Sequence, residues 1–400
     1  MHRTVARALT CLAATTSVTS VAHASQIDVF QQLPSPVTGL AIGSDQTVYA
    51  TDAGTAGKVC PKGVGCMGRS GQVLALKDGQ KKIVMNGLLS WDTQGWGGGP
   101  NSVAVDSAGT LFTTLGFALP DSPRVPAWAR AQDGHVMRSQ PGSAVPVAVT
   151  NVKAPALARQ AKRSRADRWT APGAIVAVSD RLLVADEGSE AVFEIRSGQV
   201  KTYATGPKDW YPQGLAPMPD GTVLVATYDG VWRVPSGGGK VRAVDIDLAG
   251  TVDGTAAGRS IVGAASTANG TFHLLVAGEA EQYEFWDAIN RLRLAGTKHG
   301  AKKLTSSMVR LAYSWLPNAT LLSYYPDGTQ EMTELGLDAI AVAASDDGAY
   351  VSLGNPPKRK FGLSSRGTKQ LARLSKGDRE RAAELMRALN APPRILKVAR

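Results

Sequence analysis

Short apolar stretches broken by tight polar turns recur along the chain. "SPVTGLAIGSDQTVYATD" from Ser35, "GGGPNSVAVDSAGTLFTT" from Gly97 and "APGAIVAVSDRLLVADEG" from Ala171 repeat one phrase. "YPQGLAPMPDGTVLVATYDG" from Tyr211, "SIVGAASTANGTFHLLVAG" from Ser260 and "GLDAIAVAASDDGAYVSLG" from Gly336 repeat it again. Each copy reads as a strand, an Asp-Gly-like turn and a second strand. The mostly apolar first strands predict burial on both faces. A second hairpin follows, clearest in "GQVLALKDGQKKIVM" from Gly71, "AVFEIRSGQVKTYAT" from Ala191 and "GVWRVPSGGGKVRAV" from Gly230. The turn positions Arg181 and Gly221 lie 40 residues apart. Four strands in about 40 residues is the signature of a propeller blade.

The expected fold is therefore all-β, a six-bladed β-propeller with helical insertions on one face. A seven-bladed ring is the alternative, with a degenerate blade hidden in an insertion. "QIDVFQQL" at Gln26 reads as an outermost strand with no blade before it, and "RILKVAR" at Arg394 as a third strand with no fourth. Together they would complete blade six and remove a free sheet edge.

The insertions fall between the second and third strands of four blades, at about 52–70, 115–134, 278–318 and 354–393. Because strand direction alternates, all four belong to one face. That face also holds the linkers, including a basic, strand-free one from Asn151 to Arg168. Helical spacing marks Phe285, Ile289 and Leu292, then Leu304, Met308 and Leu311, and in blade six Leu385 and Leu389. Ser375-x-x-Asp378 opens the last helix as a capping box. Such helices either cap apolar surface or form a lid over the channel mouth.

Residues 1–24 read as a secretory signal peptide: Arg3 and Arg7, an apolar run, then Ala22-His23-Ala24. This predicts an exported protein, periplasmic or secreted, starting at Ser25, with a single propeller domain over 25–400. A lipid anchor on Cys11 fits the flanking residues poorly. No stretch is long and apolar enough for a spanning helix. Export places Cys60 and Cys66 of "CPKGVGC" in an oxidising compartment, where they are expected to form a disulfide. The net charge of +11 falls to about +9 without the signal. Between Asn355 and Arg400 thirteen Lys or Arg face only Asp378, Glu380 and Glu384. The basic character thus sits in region 355–400, which would suit an acidic partner or anionic lipid, and it argues against a general nucleic-acid surface.

Three linkers carry a tryptophan ahead of a blade's opening proline: Trp96 before Pro100, Trp169 before Pro172 and Trp210 before Pro212. Trp91 precedes the first. With Tyr228 they are candidate ligand contacts lining a cup for a planar aromatic or sugar-like molecule. The alternative is that each indole wedges between blades. Asp52, Asp186, Glu187, Asp229, Glu279 and Asp338 gather near the expected mouth. Of these, Asp52, Asp186, Glu187 and Asp229 are the candidate metal ligands, with calcium the fitting ion. The same carboxylates would serve acid–base chemistry, and turn formation is the plainer role of Asp. No nucleophile elbow, zinc helix or P-loop is present, and His135, His273 and His299 are too scattered to argue a triad.

Pro34 to Pro120 resembles the exported ScyD/ScyE family of NHL-like propellers. The likeness rests on "SPVTGLAIGSDQTVYATDAG", "CMGRSGQVLAL" and "NGLLSWDTQGWGGGPNSVAVDSAGTLFTTLG". "LLVADEGSEAVFEI" from Leu182 matches that family's Asp-Ala-Gly-x-Asn element, with Glu187 and Glu190 in place of the Ala and Asn. The likeness spans roughly residues 34–245. It implies an exported six-bladed propeller, linked in some members to scytonemin-type pigment pathways, and no settled catalytic residues. The gluconolactonase type is the enzymatic relative to weigh. Its metal site needs an early Glu, where this chain has Ser35, Val37 and Thr38, and an Asn, where it has Gln213. Asp229 alone matches. A ligand- or partner-binding module is therefore the expected function. A metal-dependent hydrolase or lactonase is one alternative, and an interaction scaffold using region 355–400 the other.

Overall fold

The computed structural model describes residues 26–400 except 34, 36, 94–95, 117–118, 120–121, 141, 165–167, 229, 247–258, 279–290, 292–302, 315–318, 337–338, 354–362 and 390. The repeated phrases fold as six small antiparallel sheets. Their innermost strands are Val37–Ile42, Pro100–Val105, Pro172–Val178, Pro212–Pro217, Arg259–Ser266 and Ala339–Ser345. Each touches the next, and the last touches the first, so the ring closes at six blades and the seven-bladed alternative falls.

Blade six is built from both ends of the described chain. Ile27–Gln32 pairs antiparallel with Arg394–Ala399, with Ile27 opposite Val398 and Gln32 opposite Arg394. The turns between first and second strands use the Asx geometry expected of their sequence. Asp45, Asp106, Asp220 and Asn269 side chains each accept from the backbone N–H of a following threonine, at 2.8 to 3.1 Å.

Six apolar clusters are formed among the described residues, each lying between two neighbouring blades. Val37, Leu40, Leu74 and Leu76 of blade one meet Tyr350 and Ile395 of blade six. Leu183, Val192 and Tyr203 of blade three meet Leu215, Val225 and Val234 of blade four. The innermost strands approach backbone to backbone. A Cβ on Gly39 would lie 2.5 Å from Ser102 Cα of blade two, and one on Gly214 would strike Ala264 N of blade five.

Two sheets exceed four strands. In blade one Trp96–Gly98 pairs back on Trp91–Thr93, so Trp96 belongs to a strand rather than a free linker. In blade three Gly239–Lys240 leaves blade four and pairs in parallel with Ala204 and Thr205.

The long connections run from Asp52 to Cys66, Leu115 to His135, Gly278 to Ala319 and Leu353 to Arg394. The first is shorter than expected, because the third strand already begins at Cys66. The Cys60–Cys66 disulfide closes the loop just ahead of it. Five helices are described: α1 (Ala127–Arg130), α2 (Lys153–Arg159), α3 (Ser306–Ser314), α4 (Ser365–Leu371) and α5 (Lys376–Leu389). None is long and apolar enough to cross a membrane. Helix α2 lies in the basic linker. The helix expected around Phe285, Ile289 and Leu292 lies outside the described residues.

Insertions of two blades join. Helix α3 from blade five packs on α5 from blade six, and Leu304, Val309, Ala382 and Leu385 are buried there. Val309 is fully covered, where the spacing argument chose Met308. Ser375 accepts from Asp378 N at 3.2 Å and donates to Asp378 Oδ2 at 2.7 Å, the expected cap. Arg310 Nε donates to Asp378 Oδ1 at 2.9 Å, which latches α3 to α5. The Arg310, Ser375 and Ser306 donors hold the Asp378 carboxyl well below the usual carboxylate range. Replacing Asp378 with Asn is expected to speed hydrogen exchange in α3 and α5 and leave the sheet amides unchanged. Unaltered exchange in both helices would sink the latch.

In blade five His273 is 2 % exposed, with Nδ1 2.9 Å from Ser323 Oγ and Nε2 without a partner among the described residues. Burial lowers its pKa from 6.5 to about 4, against the opposing pull of Glu331. The unfolded chain then binds more protons between those two values, so stability rises with pH across the window and is lost as pH falls. At 1.36 kcal/mol per unit the loss approaches about 3 kcal/mol by pH 4. His273→Gln should flatten this dependence in denaturant unfolding at pH 7 and 4.5. Equal pH slopes in the two proteins would remove His273 as the cause.

Candidate functional site

At the insertion-bearing face every innermost strand carries a β-bulge. Pairing skips between Val37 and Gly39, Pro100 and Ser102, Pro172 and Ile175, Pro212 and Gly214, Ile261 and Gly263, and Ala339 and Ala341. Bulges re-aim single side chains and commonly adjoin functional sites. Here they leave Thr38, Asn101, Gly173 with Ala174, Gln213, Val262 and Ile340, all half-buried, along the inner rim. The rim is polar through blades one, two and four, and apolar at blades five and six.

Neighbouring blades are tied at this level. Ser352 Oγ donates to Val37 O at 3.1 Å, Thr38 Oγ1 to Pro100 O at 2.6 Å and Thr114 Oγ1 to Gly173 O at 2.8 Å. Between blades three and four the tie is chemically different: Tyr228 OH donates to Glu187 Oε1 at 2.8 Å.

The turn after the second strand of blade three fixes Glu187. Asp186, fully buried, accepts from Ser189 N at 2.7 Å and from the Thr170 hydroxyl. Burial pushes the Asp186 carboxyl up, and these donors oppose the shift. Glu190 closes the turn with φ 54°, and Glu190 N donates to Glu187 O at 3.1 Å. Gly188 packs against the carbonyl of Trp169. The linker after α2 docks on the same turn. Arg163 donates to Glu190 Oε1 at 2.6 Å and to Gly188 O at 3.2 Å. Gln160 brackets the Trp169 backbone, accepting from its N–H and donating to its carbonyl.

Glu187 is half-buried. Desolvation raises its pKa, Tyr228 and Gln213 pull it down, and buried Asp186 raises it further. The Gln213 amide nitrogen is buried and completes no well-aligned hydrogen bond. Tyr211 and Tyr228 stand with ring centroids 5.9 Å apart at 47°. Trp169 is 38 % exposed, with its backbone packed on Gly188.

The structure therefore divides the expected tryptophan cup. Trp210 is 2 % exposed, packed on Gly206 and on the core between blades three and four. It is the inter-blade wedge, out of a ligand's reach. Trp91 is half-buried in the core between blades one and two and donates to Val64 O at 2.9 Å, which ties it to the disulfide loop. Nothing is described of the Trp96 side chain. What stands at Glu187 is Tyr228, with Tyr211 beside it, while the Trp169 backbone lies on the neighbouring Gly188. Tyr211 was missed, although it occupies the position ahead of a blade's opening proline that drew attention to the tryptophans.

The expected metal set also separates. Asp52 lies in blade one and accepts from Gly54 N and Gln72 Nε2, both at 2.8 Å. Asp186 has both oxygens engaged. Asp229, Glu279 and Asp338 lie outside the described residues. Calcium asks for six to eight oxygen ligands, and Asp52 and Asp186 do not fit that demand. Among the described residues no three His, Cys, Asp or Glu side chains stand close enough to share a metal. On the opposite face an open cleft of about 460 Å³ lies between blades one and two, away from all these groups.

No protein-family model matches the chain, and no curated protein matches it in sequence. Solved structures resemble it in fold. Regucalcin, a calcium-binding protein from Agrobacterium tumefaciens, has 11 % identity and a TM-score of 0.47, over 93 % of this chain and 92 % of that one. A gluconolactonase from Xanthomonas campestris has 13 % identity and a TM-score of 0.45, over 82 % and 87 %. The PQQ-bound aldose sugar dehydrogenase from Streptomyces coelicolor has 11 % identity and a TM-score of 0.44, over 94 % and 98 %. Likenesses this distant carry no argument about activity, and the six-bladed architecture rests on the strand pairings.

A half-buried carboxylate kept ionised works against the fold. Because Glu187 binds its proton more tightly when folded, its contribution to stability is lost as pH rises above the ordinary value near 4.5. Glu187→Gln retains an acceptor for Tyr228 and is expected to melt at or above the parent temperature at pH 8. The gain should shrink toward pH 4.5. A variant less stable than the parent at pH 8 would show instead that the charge holds the site together.

Proposed function

We propose that the protein is an exported propeller that binds a small ligand at the rim between blades three and four. Supporting export are the signal-like start of the sequence and a disulfide across Cys60 and Cys66. The observation that carries the binding reading is the Glu187–Tyr228 bridge. A carboxylate with a raised pKa, a phenol and a second aromatic ring converge at the mouth, a usual mark of functional sites. The likeness of residues 34–245 to the ScyD/ScyE group agrees with such a role. Calcium at Asp52, Asp186, Glu187 and Asp229 is not needed by it.

The raised Glu187 carboxyl also favours a second reading, a hydrolase with Glu187 as general acid. The scaffold role of region 355–400 draws on its exposed Arg366, Lys369 and Arg373.

The test is ligand-observed NMR on residues 25–400 with a panel of small aromatic, sugar-like, cationic and anionic molecules, repeated with Tyr211→Ala and Trp169→Ala. Hits should weaken at least tenfold in Tyr211→Ala. Hits indifferent to both substitutions, or none at all, would move the ligand away from this rim. Turnover of a lactone that stops in Glu187→Gln would replace binding with catalysis.

A further inference from the structure

Charge follows position in the fold. The long connections of blades five and six, residues 279–318 and 354–393, hold sixteen Lys or Arg against seven Asp or Glu. They join where α3 packs on α5. The linker between blades two and three, residues 152–171, holds six against one. Everything else in residues 25–400 holds twenty against twenty-five. Pairing does not erase the two excesses. Asp378 takes up Arg310 and Arg381, and Glu380 takes up Lys376, all within the counted connections. Glu190 and Asp133, outside the linker, take up Arg163 and Lys153. Arg159, Lys162 and Arg168 of the linker remain exposed, as do Arg366, Lys369 and Arg373 of α4 and the turn after it.

The two basic segments share a face and stand on opposite sides of the ring. Strands alternate in direction, so the linker and both long connections emerge at the end of the blades where the innermost strands begin. In a closed ring of six, the joint of blades two and three lies across the axis from the joint of blades five and six. The turns of the other face carry Asp45, Asp106, Asp180, Asp220 and Asp347 instead. A compact acidic partner would cover one basic segment and leave the other in water. An extended anionic plane meets both at once. Lys and Arg beside an anionic leaflet are attracted to it, and the attraction fades within a Debye length. None of the described helices is long and apolar enough to cross a bilayer, so such a contact is peripheral.

We infer that the insertion-bearing face docks on a membrane surface rich in anionic phospholipid, through the α4–α5 region and the α2 linker together. The inference rests on the scaffold reading of region 355–400, gives it a partner and extends it to a second segment.

The test is flotation of residues 25–400 with vesicles of phosphatidylcholine alone and with one third phosphatidylglycerol. The protein should float with the anionic vesicles at about 50 mM salt, stay behind with the neutral ones and be released near about 500 mM. Each Lys or Arg close to an anionic surface is worth about fivefold in affinity. The triple variant Arg366→Gln, Lys369→Gln, Arg373→Gln should therefore weaken binding about a hundredfold, and Arg159→Gln with Lys162→Gln about twentyfold. Lys81→Gln with Lys82→Gln removes two charges beside a turn of the other face and should leave binding unchanged. All seven side chains are exposed, and thermal melts check that the variants fold. Binding indifferent to lipid charge, or weakened as much by the Lys81 and Lys82 pair, would overturn the inference. Binding lost in the triple variant and untouched in the linker variant would overturn the two-sided footing. If soluble polyglutamate is bound and the vesicles are not, region 355–400 remains a scaffold and only the membrane falls. If neither is bound, both readings fall together.

Discussion

Every blade of this protein buries its two faces on its neighbours, and that mutual burial is what the remaining structure depends on. Among the described residues, none of the six apolar clusters belongs to a single sheet. An isolated blade would leave both apolar faces in water, and removing such area from water is the main favourable term in folding. A ring has no terminal blade to leave uncovered. The sheets must therefore meet closely at the axis, which is why Gly39 and Gly214 stand where neighbouring backbones touch. The paired ladder of Ile27–Gln32 with Arg394–Ala399 closes blade six.

Close approach at the axis also fixes the mouth. Bulges relieve the alternation of the inner strands at one end, and each leaves a half-buried residue there. Polar side chains then reach across to neighbouring backbone carbonyls. At blades three and four a buried Asp186 shapes a turn, the turn presents Glu187, and Tyr228 of the next blade meets it. The site is thus assembled from two rigid sheets and one linker, with Arg163 and Gln160 holding the linker in place.

Much of the architecture was legible in the chain because it repeats. Six phrases with the same period of apolar and turn residues predict six hairpins, and an unpartnered strand at each end predicts the shared blade. Ser375 and Asp378 announced their helix. Local pattern could not reveal what depends on distant partners. Trp169 and Trp210 occupy similar places in sequence. Only packing shows that Gly206 lets the Trp210 ring into the core, while Trp169 stays at the surface. Asp52 and Asp186 looked like metal ligands because turn caps and oxygen ligands use the same side chain. The short strand Trp96–Gly98 was invisible among glycines. The pairing of Gly239–Lys240 with blade three was hidden because a strand of two residues has no period.

The ladder in blade six joins residues far apart in sequence, and this bears on how the fold is reached. Its first strand leaves a ribosome before any other part of the ring. That strand has no partner until Arg394–Ala399 emerges. Contacts of such sequence separation carry the largest loop-closure entropy and form slowly. The earlier blades can pair strand by strand as they appear, but the circle cannot be sealed while the chain is still in transit. Completion is thereby deferred until Arg394–Ala399 has emerged, and the earliest segment of the ring is the last to find its place.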